Sequence, residues 1–339
     1  MSLFVSVIVP VYNVRNLIAR CAKSLFEQTL SDRVEFIFVN DCSPDDSIEI
    51  LKKVIEEYPA RKPYVHILSH SANQGLAAAR NTGMEYASGK YVFHVDSDDY
   101  IEKDALDLLF HSAEEEKSDI VFSDILLLRK NHSEVYKYKE LADNIQYTKS
   151  ILFRETGPFL VGKMIARKIY TQNNIHEYKG LNYGEDYSVL PKLCYFAKRI
   201  AIIPKPLYVY DMRNSLSYMN NFSQANLDNL LQLTDIYRTF FEQHPIDNAE
   251  ELLKKMESRN ALIILKIFSI SQNKRNADLK MKVSEALRKI NISFCCLSYI
   301  DKFFFLCYHI LPFSMTLSAL SFFKRLKDFT NKIKTLFSC

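Results

Sequence analysis

The first 130 residues alternate short apolar runs with longer stretches of mixed polarity. Runs at 5–11, 34–40, 64–68, 91–95 and 119–128 are rich in Val, Ile and Phe, as strands buried on both faces are. Between them, 14–28, 45–58, 76–87 and 103–116 have helical length. Pro44-Asp45-Asp46 opens the second of these with acids in its first turn, which suits the helix dipole. Ser88-Gly89 closes the third in the manner usual at helix C-termini. Strand alternating with helix predicts an α/β fold, a mostly parallel sheet flanked by helices and joined by right-handed crossovers. Ligands on such sheets sit beyond the carboxyl ends of strands. The residues that follow the apolar runs are therefore the first candidates: Tyr12-Asn13, Asn40-Asp41, and Asp96 to Asp99.

From Ser223 onward the period changes. Leu227, Leu230, Leu231, Thr234, Tyr237, Phe240 and Phe241 recur at helical spacing. Pro245-Ile246-Asp247 precedes an acid-rich turn and a long apolar helix to Ile270, and a further helix covers 277–290. The chain thus divides near residue 220, with a helical C-terminal region over 221–339.

Charge changes this picture once it is located. The formal net charge of +4 over 339 residues falls entirely between Ser321 and Cys339, in Lys324, Arg325, Lys327, Lys332 and Lys334 against Asp328. A neutral body with a short basic tail argues against nucleic acid, which calls for a broader basic face. Residues 303–323 hold no Asp, Glu, Lys or Arg, enough length to cross a bilayer. Pro312, His309 and several Ser and Thr interrupt the run. An amphipathic segment lying on an anionic membrane is the preferred reading, with packing on the protein or on a second copy, as in a homodimer, the alternative. The seven cysteines form no CxxC pair and no disulfide framework, which points to a reducing compartment. The expected location is the cytoplasm, at the inner face of the cell membrane.

Asp96-Ser97-Asp98-Asp99 sets three carboxylates within four residues, an arrangement that needs cations or hydrogen bonds to offset repulsion. Hard oxygen ligands suit Mg2+ or Mn2+ shared with substrate phosphates, although an acidic turn capping the next helix is the plainer alternative. Asp41 can accept hydrogen bonds from a base or ribose, or simply build its turn. Asn73-Gln74-Gly75 leads into a helix on which Arg80 can neutralise acids or phosphates. Glu185-Asp186 lies among aromatic and apolar neighbours, where a carboxylate can serve as a general base.

Taken in order, Ser6-Val7-Ile8-Val9-Pro10-Val11-Tyr12-Asn13, Asn40-Asp41-x-Ser43, Asn73-x-Gly75-x-x-x-Ala79-Arg80-Asn81, Asp96-Ser97-Asp98-Asp99 and Glu185-Asp186 resemble the family 2 glycosyltransferases of the GT-A fold. The likeness runs over about residues 3–217 and includes Leu207 to Tyr210 and Arg213 to Ser217. It implies a catalytic domain over 1–220, with a nucleotide-sugar half to about 130 and an acceptor half beyond it. Val11, Tyr12 and Asp41 would hold the base of a nucleotide, commonly uridine, with Pro10 also in the nucleotide-sugar site. Asn73, Gly75, Arg80, Asp96 and Ser97 would complete the donor pocket, with Asp96 on ribose or sugar. Asp98 would coordinate Mn2+ or Mg2+ on the diphosphate, and Asp186 would deprotonate the acceptor hydroxyl. Lys163, Glu185 and Arg213 would shape the acceptor or phosphate side, leaving Asp99 as a structural residue. The implied activity is inverting transfer of one sugar from a nucleotide-sugar donor to a saccharide or lipid-linked acceptor. The Gln-x-x-Arg-Trp signature of processive synthases is missing, and the chain has no Trp. A nucleotidyltransferase would need a basic Gly-rich loop after the first strand, where Pro10 to Asn13 stands. A degenerate binding subunit is disfavoured by the presence of Asp41, Asp96, Asp98 and Asp186.

Overall fold

A computed structural model describes residues 4–31, 33–181, 183–213, 222–271, 273 and 276–290. The uncharged run at 303–323 and the basic tail lie outside the described residues. The chain separates into two compact units between Ser215 and Leu216.

The first unit is built on β1 (Val5–Val11), β2 (Val34–Asn40), β3 (Val65–Ser69) and β4 (Tyr91–His94). Their pairings are all parallel, in the spatial order β3-β2-β1-β4. Between them run α1 (Ile18–Phe26), α2 (Ser47–Glu57), a single 3-10 turn and α3 (Leu76–Tyr86). Every residue of β1 is buried, which explains why its sequence is continuously apolar rather than alternating. In α1 the buried set is Ile18, Cys21, Ala22, Leu25 and Phe26, the spacing of one helical face.

Two helices are shorter than their apolar patterns. Asn13, Val14 and Arg15 give their backbone N–H groups to Ser43 Oγ (2.8 Å), Ser47 Oγ (3.1 Å) and Asp45 Oδ2 (2.9 Å). Those donors are satisfied by side chains at the start of α2, so residues 14–17 remain a loop. Asp45 also accepts from Ser47 N (3.1 Å) and therefore caps α2 from outside instead of forming its first turn. Gly89, too, has a different role from the one its position suggests. Residues 87–90 leave α3 without a left-handed glycine there. A Cβ on Gly89 would lie 2.6 Å from Ser6 N and 2.8 Å from Val5 C, so the requirement is close approach to β1.

The rest of the sheet is mixed. It contains β5 (Tyr100–Ile101), β6 (Ile120–Leu128), β7 (Ser133–Tyr136), β8 (Lys163–Ala166) and β9 (Ile200–Asp211). β6 does not join the parallel set directly: β8 is inserted between β4 and β6 and is antiparallel to both. β9 pairs parallel to β6 with register shifts around Asp124, and β5 pairs antiparallel to β9. Helices α4 (Ala105–Glu115), α5 (Asn144–Leu152), α6 (Arg167–Gln172) and α7 (Glu185–Phe196) complete this unit. The sheet is thus α/β and flanked by helices, parallel in its first half.

The second unit shows α8 (Gln224–Gln243), α9 (Ala249–Ile270) and α10 (Ala277–Lys289). Ser223 and Asn226 close a reciprocal capping box at the start of α8, which fixes where the helical region begins. No helix among the described residues is long and apolar enough to cross a membrane.

Candidate functional site

Because β1, β2 and β4 are parallel, their carboxyl ends share one edge, and the motif residues gather there. Pro10 and Val11 are buried, whereas Tyr12 is 48% exposed and its ring faces solvent at the strand end. Asp41 follows β2 and is itself buried. Its Oδ1 accepts from Gln74 N (2.8 Å) and meets His70 Nδ1 (2.7 Å), while Oδ2 accepts from Gly75 N (2.8 Å). Gly75 makes this possible: its φ of 90° suits glycine and turns its N–H toward the carboxylate. Asn73 reaches Asp41 O at 3.4 Å. The loop of 70–75 is therefore organised around Asp41.

Consecutive residues on α3 reach three different parts of the site. Arg80 is 1% exposed. Its Nη2 donates to Asp96 Oδ1 (2.8 Å) and its Nη1 to Asp186 Oδ1. Nη1 also lies 3.5 Å from Glu177 and 3.8 Å from Glu185. Asn81 exchanges two hydrogen bonds with the backbone of Glu177, at 2.7 and 2.9 Å. Thr82 Oγ1 meets His70 Nε2 at 2.9 Å. The backbone of Leu160 donates to the other oxygen of Asp186 (2.9 Å), and Gly184 starts α7 in a left-handed conformation, φ 87°.

One cation among four carboxylates cannot balance four negative charges, and proton affinities respond. Burial opposes the Arg80 charge, but Asp186, Glu177, Asp96 and Glu185 together raise its pKa well above the ordinary value. Burial lifts Glu177 well above the carboxylate range despite Arg80. Glu185 is pushed up to about 8, first by burial and then by Asp186. Burial therefore favours the protonated form of both glutamates, while Arg80 gives its two hydrogen bonds to Asp96 and Asp186.

A second cluster secures the Asp96–Asp99 turn. Asp99 is fully buried; it accepts from Tyr208 Oη (2.6 Å) and Asp211 N (2.7 Å). Burial, then Asp98 and Asp96, raises its pKa well above the usual range. Asp96 N donates to Tyr208 Oη (3.1 Å). Arg20 on α1 links Asp98 O (2.5 Å) to Asp211 Oδ2 (2.7 Å). Arg213 pairs with Asp211 through Nε (2.7 Å) and Nη2 (2.6 Å). Ser97 is buried within the turn, while Asp96 and Asp98 remain partly exposed. Hard carboxylate oxygens at an open strand end fit a divalent cation that takes few protein ligands and completes its shell with phosphate oxygens. Among the described residues no three His, Cys, Asp or Glu side chains group around a cation position, so substrate oxygens would have to supply much of that shell.

Lys163 is set off by an aromatic enclosure. It is fully buried at the start of β8, donates to Tyr138 Oη (2.7 Å) and lies 4.6 and 4.4 Å from the ring centres of Phe122 and Tyr138. Burial lowers its pKa to about 7, with Asp186 near enough to favour its charged form. A cavity of about 530 Å³ lies away from the motif residues, lined by Lys90, Glu114, Lys117 and Arg167 at the opposite edge of the sheet. Glu177, His70, Asp211 and Arg20 join the constellation without a motif of their own, and Tyr208 comes from the Leu207 to Tyr210 segment. Asn81 is the one sequence signal that leads to Glu177.

Comparison with known proteins gives this geometry a lineage. The model described as Glycosyl transferase family 2 matches residues 6–171. The chain is 29% identical over 293 residues to the uncharacterized glycosyltransferase EpsJ of Bacillus subtilis, covering 84% of this chain and 83% of that protein. Residues 1–349 of S. aureus TarS, solved in complex with UDP-GlcNAc, match at a TM-score of 0.69 and 18% identity, over 96% of this chain and 92% of that one. The mannosyltransferase PcManGT from Pyrobaculum calidifontis, solved with GDP-Man and Mn2+, matches at 0.53 and 15% identity, over 96% and 88%. The two structures speak for the GT-A fold, and the family match for the chemistry. The chain belongs to glycosyl transferase family 2 and is a transferase enzyme.

Proposed function

We propose that this enzyme moves a single sugar from a nucleotide-diphosphate donor, uridine-based by preference, to a hydroxyl of a saccharide or lipid-linked saccharide, with inversion. One observation carries the reading. Asp96 and Asp186 lie 90 residues apart in sequence, yet the same guanidinium holds both. A donor seated at Asp96 would therefore have its anomeric carbon near the acid best placed to receive a proton.

The roles divide as follows. Tyr12 and Asp41 bind the base, and Asp96 contacts ribose or sugar. Asp98 would hold Mn2+ or Mg2+, which when bound would supply charge stabilisation to the diphosphate. The mannosyltransferase neighbour, solved with GDP-Man and Mn2+, supports that assignment, as UDP-GlcNAc in TarS supports uridine. Asp186 takes the acceptor proton as its oxygen attacks the anomeric carbon from the face opposite the diphosphate. The two oxygens of Asp186 are oriented by Arg80 and Leu160 N, which fixes the plane in which its remaining lone pairs lie. A leaving group already stabilised needs no separate acid, so one base suffices for in-line displacement. The half to about residue 130 serves the donor and the half beyond it the acceptor.

Asp186→Asn tests the assignment. Turnover is expected to fall by about 10² to 10⁴, with calorimetric UDP affinity unchanged. Full activity in this variant, or a product of retained anomeric configuration, would overturn it.

A further inference from the structure

The carboxylate proposed to meet the nucleotide base is already held by three donors, and one of them is a side chain with no assigned role. His70 sits between Asp41 Oδ1 (2.7 Å from Nδ1) and Thr82 Oγ1 (2.9 Å from Nε2). Both side chains of the His70–Asp41 pair are buried. Its backbone is pinned as well, His70 N donating to Asn40 O at 2.9 Å. The ring is thus fixed from three directions: the strand end of β2, the carboxylate, and α3.

We infer that His70 is a positioning residue for base recognition, orienting Asp41 so that one acceptor position is left for an imide N–H of the nucleobase. This rests on the reading of Asp41 as the base contact.

The lone-pair inventory supports it. A carboxylate offers about four acceptor positions. On Asp41, Gln74 N and His70 Nδ1 occupy both positions of Oδ1, and Gly75 N takes one of Oδ2. One position on Oδ2 remains. The carboxylate can only accept, so Nδ1 carries the hydrogen that it meets, and the Thr82 hydroxyl, able to donate or accept, holds Nε2. The ring held at both nitrogens in turn fixes the carboxylate plane. The free position accepts a hydrogen, so it favours bases that carry a ring N–H at their pairing edge, uracil and guanine. It disfavours cytosine and adenine, whose corresponding ring nitrogen is itself an acceptor.

Without the imidazole, Asp41 keeps only its two backbone donors, one on each oxygen, and Oδ1 loses the donor that fills its second acceptor position. Base binding is felt equally in ground and transition states, so the damage should appear in KM and not in kcat. Loss of a hydrogen bond to a charged group corresponds to about a tenfold change or more.

The test is steady-state kinetics with a UDP-sugar, together with calorimetric binding of UDP and CDP. His70→Leu is expected to raise KM and the UDP dissociation constant about tenfold with kcat within about twofold, and to narrow the UDP over CDP preference. His70→Asn places an amide N–H where Nδ1–H was, and should restore UDP binding to within about threefold of wild type. Thr82→Val keeps the histidine and is expected to weaken UDP binding about threefold, which holds the inference testable if His70→Leu does not fold. Unchanged UDP binding in His70→Leu, or a fall in kcat alone, would overturn the positioning role. Asp41→Asn separates the two layers. If it leaves UDP binding intact, the base assignment itself fails; if it weakens UDP while His70 variants do not, only the present inference fails.

Discussion

The two halves of the catalytic sheet are held together by different physics. From β1 to β4 the pairing is parallel, and the strands β1, β2 and β4 and their helices bury aliphatic and aromatic side chains against one another, as in the cluster of Ile8, Ile37, Val39, Ala79 and Val92. From β5 to β9 the pairing is mixed, and ionisable groups have entered the interior: Lys163, Glu177, Asp99 and Asp124 are all buried. The first half buries Glu35, Asp41, Arg61 and Arg80 as well, so the contrast is one of degree: shape dominates in the first half, and charge and hydrogen bonding weigh more in the second. Packing tolerates little change in volume at any pH, whereas buried charge makes stability depend on the proton.

That difference can be broken most forcefully where the halves meet. Arg80→Met removes the cation shared by Asp96 from the first half and Glu177, Glu185 and Asp186 from the second. Leaving buried acids uncompensated should cost about 4 kcal/mol, read as a lower urea midpoint. Arg80→Lys should recover little, since one ammonium cannot serve the two directions that Nη1 and Nη2 serve. A midpoint within error of wild type for Arg80→Met would show that the acids are independently stable.

Lys163→Met probes the second half alone. The folded pKa of about 7 lies below the ordinary value of 10.5, so between those values the unfolded chain binds a proton that the folded chain does not. Stability of the wild type therefore rises as pH climbs from 7 toward 10.5 and is lost as it falls back. The variant lacks this slope, and its advantage over wild type should grow by about 4 kcal/mol at most between pH 10 and pH 6.5. Parallel stability curves would contradict the assignment.

Gly89→Ala is the matching probe of the first half. The added Cβ would meet the β1 backbone at Ser6 N, which cannot move without disturbing the β1–β4 pairing. A loss of about 2 kcal/mol is expected, the same at pH 6.5 and pH 9.5. A pH-dependent loss would mean that the division between shape and charge is drawn too sharply.

The same division explains what could be read from the sequence. β1, β2 and β4 are legible because strands buried on both faces write unbroken apolar runs. β8 begins with a lysine, β5 has two residues, and β9 carries Pro204, Lys205 and Pro206, so none shows a strand period. The orientation of β6 depends on β8, which arrives later in the chain, and no local pattern could reveal it. At the site, Asp41, Arg80, Asp96, Asp98 and Asp186 stood out as motif residues. Glu177 did not, because its place beside Arg80 is set by hydrogen bonds from Asn81, 96 residues earlier. The resemblance puts Lys163 on the acceptor or phosphate side but says nothing of its surroundings; its aromatic enclosure comes from Phe122 and Tyr138 on other segments.

The position of Arg80 also bears on how the enzyme can be divided. The family model matches only as far as residue 171, ahead of Glu177, Glu185 and Asp186. A polypeptide cut there would retain the arginine and only one of its four acids, and would lose β9 with Tyr208 and Asp211. The segment that the family model matches is therefore shorter than the segment that the Arg80 ion pairs require. Domain swaps or minimal fragments designed on the boundaries of that match would leave a naked guanidinium in the breach, and a working graft should be cut beyond β9.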